Sequence, residues 1–333
     1  MNKDRPLIVE GISKSYRIAA PGKGLGGIMR QLLRPEYRSH QAVKPMDLAM
    51  EPGEVLGLIG PNGAGKSSLI KMLVGIMRPD TGTVRLLGLD PFQQRKECCR
   101  RIGVVFGQRS NLWWDLPAVD SFELVCSIYG LSREKYRETL SELDSVFGLS
   151  EFLSQPARTL SLGQRVRCSV ALALLHRPEV VFLDEPTIGL DALSVSQFIE
   201  MLKKINSSRG TTILITSHDL GVIERLCRRI VIFDKGAPMF DGVQEEALRR
   251  YACYKKLRLL LTDPGQLPAA SAKLELLGLP PAKVRANSME WVLHEGHELG
   301  GILTGMQDLN DQGIAEYYLE KPTLEEVIRN AFG

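Results

Sequence analysis

The stretch that decides the fold is Glu54-Val-Leu-Gly-Leu-Ile-Gly60-Pro-Asn-Gly-Ala-Gly65-Lys66-Ser67-Ser68. Its first part is a short apolar run that predicts a β-strand, and an apolar stripe over residues 69–77 predicts a helix. Gly60, Gly65, Lys66 and Ser67 satisfy the phosphate-loop pattern G-x-x-x-x-G-K-[ST], in the required order of strand, loop and helix. The stretch therefore predicts a site for a nucleoside triphosphate.

Each residue type in this loop suits the binding of phosphate. Glycines let the backbone wrap closely and aim its N–H groups at phosphate oxygens, while the new helix directs its positive end at the same anion. Lys66 adds a positive charge on the outer phosphates, and the Ser67 hydroxyl can ligate Mg²⁺. The residues expected to bind the phosphates are Gly60, Pro61, Asn62, Gly63, Ala64, Gly65, Lys66, Ser67 and Ser68.

Two later apolar runs predict strands that are buried on both faces of a parallel sheet. Val180-Val-Phe-Leu-Asp184-Glu185 places two carboxylates at the end of the first run, and Thr211-Thr-Ile-Leu-Ile-Thr216 leads through Ser217 to His218. Ligands of open α/β sheets bind at the carboxyl ends of such strands. We therefore expect Asp184 to hold the metal and Glu185 to accept the proton of an attacking water, with His218 at the same edge.

The composition describes an ordinary globular protein. The 333 residues are 44% hydrophobic and 24% charged, and the formal charge of +3, spread along the chain, gives no reason to expect a nucleic acid partner. No apolar run approaches the roughly 18 residues of a membrane span, and the polar start predicts no signal peptide. Six cysteines without C-x-x-C spacing indicate reduced thiols in a cytosolic protein.

The order of predicted elements suggests two domains, 1–244 and 245–333. In the first domain, residues 5–16 are predicted to form an edge strand, 17–40 an insertion, and 230–233 the last strand. Residues from about 109 to 175 are predicted to form a mainly helical subdomain, with helix caps at Ser132, Ser150 and Ser161. The insertion contains a short basic amphipathic helix, which would rest either on an anionic membrane surface or partner, or on its own domain.

The second domain is predicted to have the order β-α-β-β-α-β, with helices over 269–277 and 299–310. This order favours a small α+β, ferredoxin-like accessory or regulatory domain. The pair His294 and His297 is interpreted as surface side chains because a metal site needs further ligands.

In combination, the motifs resemble the nucleotide-binding subunit of an ABC transporter. Residues 60–67, 108, 160–164, 180–185, 189–191 and 218 occur in the order and spacing of that family, over roughly residues 5–243. The resemblance implies a P-loop NTPase fold of the α/β class, with a mixed sheet core and a helical subdomain. It also implies an ATPase that uses ATP and Mg²⁺.

The resemblance assigns roles to further residues. Tyr16 is similar to the aromatic residue that stacks on adenine, and Gln108 to the glutamine that senses Mg²⁺ and the membrane partner. Asp191 lies in the segment that resembles the D-loop, and His218 is similar to the switch histidine. The run Leu160-Ser-Leu-Gly-Gln resembles the L-S-G-G-Q signature, of which Ser161, Leu162, Gly163 and Gln164 are expected to act on the ATP of an opposite subunit.

Leu162 departs from the family pattern, which usually has glycine at this position. A side chain there is tolerated if the backbone φ is negative, so we expect a working but altered half-site.

The resemblance also implies that ATP lies between two ATPase subunits, which are two copies of this chain or this chain and a paralogue. Hydrolysis then lets the two closed subunits move apart, and a permease docked near Gln108 senses that motion.

The C-terminal appendage and its closing run over 322–328 resemble the ATPases of ABC-2-type exporters. The resemblance implies a peripheral protein on the cytoplasmic face of the bacterial inner membrane, acting with integral-membrane permease subunits. An importer ATPase would share every ATP motif, and a soluble non-transport ABC ATPase is a further alternative.

The adjacent Trp113 and Trp114 cannot both face inward from one helix or strand. Either one of them contacts the membrane partner, or both lie in a locally buried loop.

Overall fold

The computed structural model describes residues 5–19, 37–107, 110–252, 254–261, 283–285, 288–294 and 314–332. The chain forms two compact units, Met1–Val243 and Gln244–Gly333.

The centre of the first unit is a six-stranded sheet with the strand order β5-β6-β7-β3-β8-β9. Neighbouring strands are parallel except for β8 and β9, which pair antiparallel. Strands β6 and β7 are buried along their whole length, as their continuous apolar sequences predict. The strands are β3 (Val55–Ile59), β5 (Ile102–Phe106), β6 (Val180–Asp184), β7 (Thr212–Thr216), β8 (Arg229–Asp234) and β9 (Ala237–Val243).

Strand β9 corrects the prediction that residues 230–233 form the last strand of this unit. Ala237–Val243 turns back and pairs with β8 through contacts such as Ile232 with Phe240. The sequence pattern concealed this strand because it contains a proline and a glycine, both uncommon within strands. As the edge strand of the sheet, it tolerates them.

A second, antiparallel sheet consists of β1 (Leu7–Ala19), β2 (Tyr37–Met50) and β4 (Thr81–Leu86), in the order β2-β1-β4. Strand β1 is central, which corrects its prediction as an edge strand: Leu7 pairs with Met50 on one side and with Leu86 on the other. The ladder with β2 continues to the pair Ala19–Tyr37, so both ends of the predicted insertion are strand. Its predicted helix lies outside the described residues.

Helix α1 (Lys66–Leu73) lies between the two sheets and connects them through one core. Leu69 and Leu73 are fully buried together with Leu56 of β3 and Leu7 of β1. Because this core packs the helix that begins at Lys66 from both sides, the start of the helix has a fixed position at the end of β3.

The remaining helices of the first unit include the predicted helical segment. They are α2 (Arg95–Cys99), α3 (Ala118–Tyr129), α4 (Arg133–Phe147), a 3₁₀ turn at Ala157–Thr159, α5 (Leu162–Leu174), α6 (Ala192–Arg209) and α7 (Leu220–Leu226). Ser132 and Ser161 are N-caps, as predicted. Ser150 caps no helix; its N–H donates to Asp144 Oδ1 in a turn.

The second unit contains an antiparallel sheet with the order β11-β12-β10-β13. Its elements are α8 (Gln244–Tyr251), β10 (Tyr254–Leu261), β11 (Lys283–Arg285), β12 (Ser288–His294), β13 (Ile314–Glu320) and α9 (Leu324–Phe332). The buried Trp291 and Leu257 lie opposite each other in the ladder of β10 and β12. The helices predicted over 269–277 and 299–310 lie outside the described residues, so the ferredoxin-like fold stays a prediction.

Candidate functional site

The phosphate loop connects β3 to α1 and is built so that two positions accept only glycine. A Cβ atom at Gly60 would lie 2.1 Å from the carbonyl oxygen of Phe233, and one at Gly65 would lie 2.1 Å from that of Ala42. Gly65 also has a φ of 109°, a conformation that L side chains rarely adopt. The close packing of the loop against both sheets therefore holds its backbone in one conformation.

The loop forms one wall of a cleft of about 630 Å³. The opposite wall comes from the carboxyl ends of β6 and β7, as expected for a parallel sheet. The predicted site residues that line this cleft are Tyr16, Asn62, Gly63, Ala64, Gly65, Lys66, Ser67, Ser68, Asp184, Glu185 and His218. Gly60 and Pro61 do not line the cleft, and their carbonyl oxygens accept hydrogen bonds from Lys66 Nζ at 2.6 and 3.2 Å.

Lys66 is a buried cation between these carbonyls and two carboxylates. Burial lowers the pKa of its ammonium group, while the charges of Glu185 and Asp184 act in the opposite direction. A buried ammonium group with only two close carbonyl acceptors gains from an additional anion. Lys66 is therefore suited to hold a phosphate oxygen.

Thr216 holds the two carboxyl-bearing residues at the end of β6. Its hydroxyl donates to Asp184 Oδ1 at 2.8 Å and accepts from the N–H of Glu185 at 2.9 Å. Thr216 is fully buried and pairs with Asp184 in the ladder of β6 and β7. The neighbouring strand thus positions both the candidate metal ligand and the candidate base.

Glu185 adopts a left-handed backbone conformation with a φ of 55°. Such strain persists only where the surrounding structure fixes it, and it is concentrated at functional sites. The side chain accepts a hydrogen bond from the N–H of His218 at Oε2, 2.9 Å away, and its Oε1 lies 3.1 Å from His218 Nε2. Oε1 accepts no hydrogen bond of good geometry from the part of the chain that the structure describes.

Burial raises the pKa of the Glu185 carboxyl group above its ordinary value. The positive charges of His218 and Lys66 and the hydrogen bond from His218 oppose this effect, and Asp184 adds to it. A carboxylate whose pKa is raised and which lines the cleft is suited to accept a proton, as a general base must. The geometry therefore suits the role that the sequence predicts for Glu185.

The donor set near the loop fits Mg²⁺. Ser67 and Asp184 both line the cleft and offer oxygen atoms, which hard cations prefer. Within the described ranges no group of three or more histidines, cysteines or acidic residues could hold a metal by itself. Mg²⁺ needs no such group because it usually keeps several waters and binds one or two protein ligands together with substrate phosphates.

Tyr16 lines the cleft at the end of β1, and its hydroxyl is tied to the helix that follows the loop. The hydroxyl lies 3.0 Å from Ser68 Oγ and 3.0 Å from Met77 Sδ, to which it donates. Stacking of its ring on adenine stays a prediction. Gln108, expected to contact both metal and permease, lies outside the described residues.

The residues of the expected signature lie away from the cleft of their own chain, at the start of α5. Ser161 Oγ accepts from the N–H of Gln164, and Gln164 Oε1 accepts from the N–H of Ser161, which forms a capping box. Leu162 begins the helix with a negative φ, as its tolerance requires. Asp191 caps α6 through the N–H and the hydroxyl of Ser194.

Several cleft residues were missed by the sequence argument. They are His40, Ala42, Lys71, Ile76, Phe106, Gly107 and Ile188. His40 pairs with Tyr16 across the ladder of β1 and β2, a register that the sequence alone cannot show. The sequence could have predicted Lys71 as a cleft residue, because it follows Ser67 by four residues and so lies on the same face of α1.

The comparisons with known proteins agree with this geometry. A family model described as ABC transporter matches residues 43–188. The chain is 31% identical to the daunorubicin resistance ATP-binding protein DrrA3 of Streptomyces coeruleorubidus, over 89% of this chain and 93% of that protein. The chain belongs to the ABC transporter family. The resemblance inferred from the motifs is therefore confirmed.

Other members of the ABC family support the same assignment. The chain is 36% identical to the Nod factor export ATP-binding protein I of Cupriavidus metallidurans, over 65% of this chain and 71% of that protein. A solved ATP-binding cassette dimer in a post-hydrolysis state, bound to ADP and Pi, superposes with a TM-score of 0.59 at 26% identity, covering 71% of this chain and 98% of that chain. The predicted α/β cassette fold is thus confirmed.

As an ABC ATP-binding subunit, the chain binds ATP and is an ATPase. Subunits of this family dimerise and work with permease subunits in the membrane. Among the helices that the structure describes, none is both long and apolar enough to span a bilayer.

Proposed function

We propose that this chain energises an ABC-2-type exporter by hydrolysing ATP on behalf of a separate permease. The observation that carries the proposal is the cleft in which Lys66, Glu185 and His218 meet beside the phosphate loop. Export, as the direction of transport, is supported by relatives whose names refer to drug resistance and Nod factor export.

In this proposal the protein's residues divide the chemistry of hydrolysis. Lys66 and the N–H groups of the loop hold the outer phosphates, and Glu185 accepts a proton from the water that attacks the γ-phosphorus as ADP leaves. His218 holds Glu185 through its N–H. Mg²⁺ bound by Ser67, Asp184 and Gln108 would neutralise charge on the phosphate oxygens.

The proposed catalytic site is completed by a second ATPase subunit, which is another copy of this chain or a paralogue. Ser161 and Gly163 would contact the γ-phosphate of ATP bound to the partner's loop, at the N-terminal end of α5. Loss of the γ-phosphate removes these contacts and favours separation, which is a ligand-driven population shift.

The proposed contact with the permease includes the segment after Gln108. Trp113 and Trp114 are 50% and 52% exposed, although the backbone of the segment is held by a hydrogen bond from the N–H of Trp113 to Ser121. Arg165 of α5 lies over the ring of Trp114 at 5.5 Å. Large exposed aromatic side chains on an ordered backbone are suited to bind a partner. The protein would accordingly act at the cytoplasmic face of the membrane.

The test of this function is directional transport by the purified complex. The chain and the permease that co-purifies with it are reconstituted into vesicles, with the ATPase subunit outside. Export predicts ATP-dependent accumulation of substrate inside these vesicles without any substrate-binding protein. An importer ATPase, the second candidate, would move substrate out of the vesicles and require such a protein. ATP hydrolysis that persists without any associated permease or transport would favour a soluble ABC ATPase.

A further inference from the structure

A second cleft, of about 650 Å³, lies at the amino ends of the parallel strands of the first unit. Its lining includes Pro52, Arg101, Glu179 and Thr211, which shortly precede β3, β5, β6 and β7. The nucleotide cleft lies at the carboxyl ends of these strands, and a strand of five residues is roughly 16 Å long. Among the described residues, the two clefts share no lining residue. We call the second one the amino-edge cleft.

The amino-edge cleft is lined by more arginine than acidic side chains. Two further carboxylates, those of Glu51 and Glu138, pair with lining arginines from outside the cleft. The charged groups that line it therefore have an excess of positive charge, which favours an anionic ligand. Among the described residues these groups are the arginines Arg5, Arg101, Arg177 and Arg209 and the carboxylates of Glu142 and Glu179.

Two of the lining guanidinium groups have a buried nitrogen without an acceptor in the part of the chain that the structure describes. The side chain of Arg209 is only 9% exposed; its Nε donates to Glu142 and its Nη1 to the carbonyl oxygen of Leu174, but its Nη2 has no acceptor. Arg5 pairs with Glu51 through Nη2, while its buried Nε has no acceptor. Such donors cost free energy, and a bound oxyanion removes that cost.

The size and the apolar part of the lining indicate an organic ligand. Pro6, Pro52, Leu87 and Pro178 also line the cleft and offer apolar surface beside the arginines. A volume of about 650 Å³ lies within the range of pockets that hold small molecules, roughly 300–1,000 Å³. A single inorganic ion would fill only a small part of it. The lining is therefore suited to a molecule with both an apolar body and an anionic group.

We propose that the amino-edge cleft binds a small organic molecule that carries a phosphate or carboxylate group. The anionic group would accept a hydrogen bond from Arg209 Nη2, and Arg5 would add positive charge at the same cleft. The planar fork of a guanidinium group matches both phosphate and carboxylate, which is why the two share one recognition chemistry. The inference goes beyond the proposed function, which uses no ligand at this edge of the sheet.

The experiment titrates the full-length chain with two anionic probes, followed by ligand-observed NMR. Phenyl phosphate and phenylacetate both carry an apolar ring and differ in the anionic group, and benzyl alcohol is the uncharged control. Lys66→Ala serves as the background, because it weakens phosphate binding at the loop of the nucleotide cleft. At least one probe is expected to bind with a dissociation constant of roughly 1 mM or below, and benzyl alcohol at least about tenfold more weakly.

Two variants in this background locate the bound probe. Arg5→Gln removes a charged donor from a side chain that is 41% exposed, and should raise the dissociation constant by about three- to tenfold. Arg209→Lys keeps the charge but loses the planar fork, and should raise it by a similar factor. The matched control is Arg158→Gln, an exposed arginine that pairs with Asp115 outside the cleft and should leave the constant unchanged.

Each outcome supports or overturns the proposal. Binding of only one probe would support it and identify the anionic group as phosphate or carboxylate. The proposal fails if neither probe binds at concentrations about tenfold above 1 mM, or if benzyl alcohol binds as well as the probes. It also fails if Arg5→Gln changes binding no more than Arg158→Gln does. Thermal unfolding is measured for each variant, and Arg5→Gln alone decides if Arg209→Lys does not fold. None of these results bears on ATP hydrolysis or transport.

Discussion

At position 185 the chain holds a glutamate in a backbone conformation that few non-glycine residues adopt. The N–H of this residue donates to the Thr216 hydroxyl, Oε2 accepts from the N–H of His218, and Oε1 lies 3.1 Å from His218 Nε2. The carboxylate lines the cleft, and its burial raises its pKa. These neighbours therefore support the proposed role of Glu185 as the base.

Replacing Glu185 by glutamine should separate binding from hydrolysis. Glu185→Gln removes the proton acceptor but keeps the size of the side chain, so ATP should bind as in the wild type while hydrolysis slows by at least ~10²-fold. The measurements are nucleotide affinity and steady-state phosphate release. Glu200→Gln, an exposed position on α6, is the control and should retain full activity. Wild-type turnover in Glu185→Gln would remove Glu185 from the proposed mechanism.

Lys66 supports a prediction about affinity. Lys66→Ala deletes the buried cation that lies against Gly60 and Pro61, so the triphosphate loses a charged hydrogen-bond donor. A donor of this kind contributes about 1.5–3 kcal/mol, which corresponds to roughly ten- to a hundredfold weaker binding. Calorimetric titration with ATP measures it, and Lys203→Ala on the exposed face of α6 is the control. An unchanged affinity for ATP would contradict the role of Lys66.

At the scale of elements, one carboxylate joins three parts of the first unit. Glu142 of α4 accepts from Arg177, which follows α5, and from Arg209 near the end of α6. Arg209 also donates to the carbonyl oxygen of Leu174, at the end of α5. Glu142 therefore connects α4 to Arg177, which follows α5, and to Arg209, the last residue of α6.

Glu142→Gln should destabilise the fold in a pH-dependent manner. The hydrogen bond from Arg209, supported by the charges of Arg209 and Arg177, lowers the pKa of Glu142 in the folded state. Its stabilising contribution is therefore fully present above the ordinary glutamate pKa and is lost as the pH falls through the lowered value. Urea unfolding should show a loss of about 1–3 kcal/mol at neutral pH, and a smaller one at about pH 4.

Glu138→Gln is the control for this prediction. Glu138 lies on the same helix and accepts from the exposed Arg177 at 3.2 Å, so its loss should change the free energy of unfolding little. An equal effect of the two substitutions, or an effect of Glu142→Gln that grows on acidification, would contradict the assigned role.

At the scale of the whole molecule, local patterns predicted the nucleotide cleft well. The loop of residues 60–67, the two carboxylates after β6 and His218 after β7 each follow an apolar strand, and parallel strands bring their carboxyl ends together. The positions of these residues around the cleft could be predicted because each of them lies within a few residues of a strand end.

Features that depend on distant pairing could not be predicted in this way. The central position of β1 depends on its ladders with β2 and β4, and the entry of His40 into the cleft depends on the register of one of them. The closeness of Leu162, the first residue of α5, to Gly189 brings together two segments that are far apart in the sequence. The alternation and spacing of apolar residues describe one helix or strand at a time. These features arise only when helices and strands from distant parts of the chain pack together.

The central claim is that ATP held by one subunit is contacted by residues 161–164 of another. It can be tested with an ATP analogue that carries a photoreactive group on its γ-phosphate. Wild-type chain is mixed with Lys66→Ala chain containing heavy nitrogen, the mixture is irradiated, and labelled tryptic peptides are identified by mass. We expect label on peptide 159–165 of the heavy Lys66→Ala chain, and only when wild-type chain is present. Label confined to the light wild-type chain, in a mixture shown to contain the mixed dimer, would contradict it.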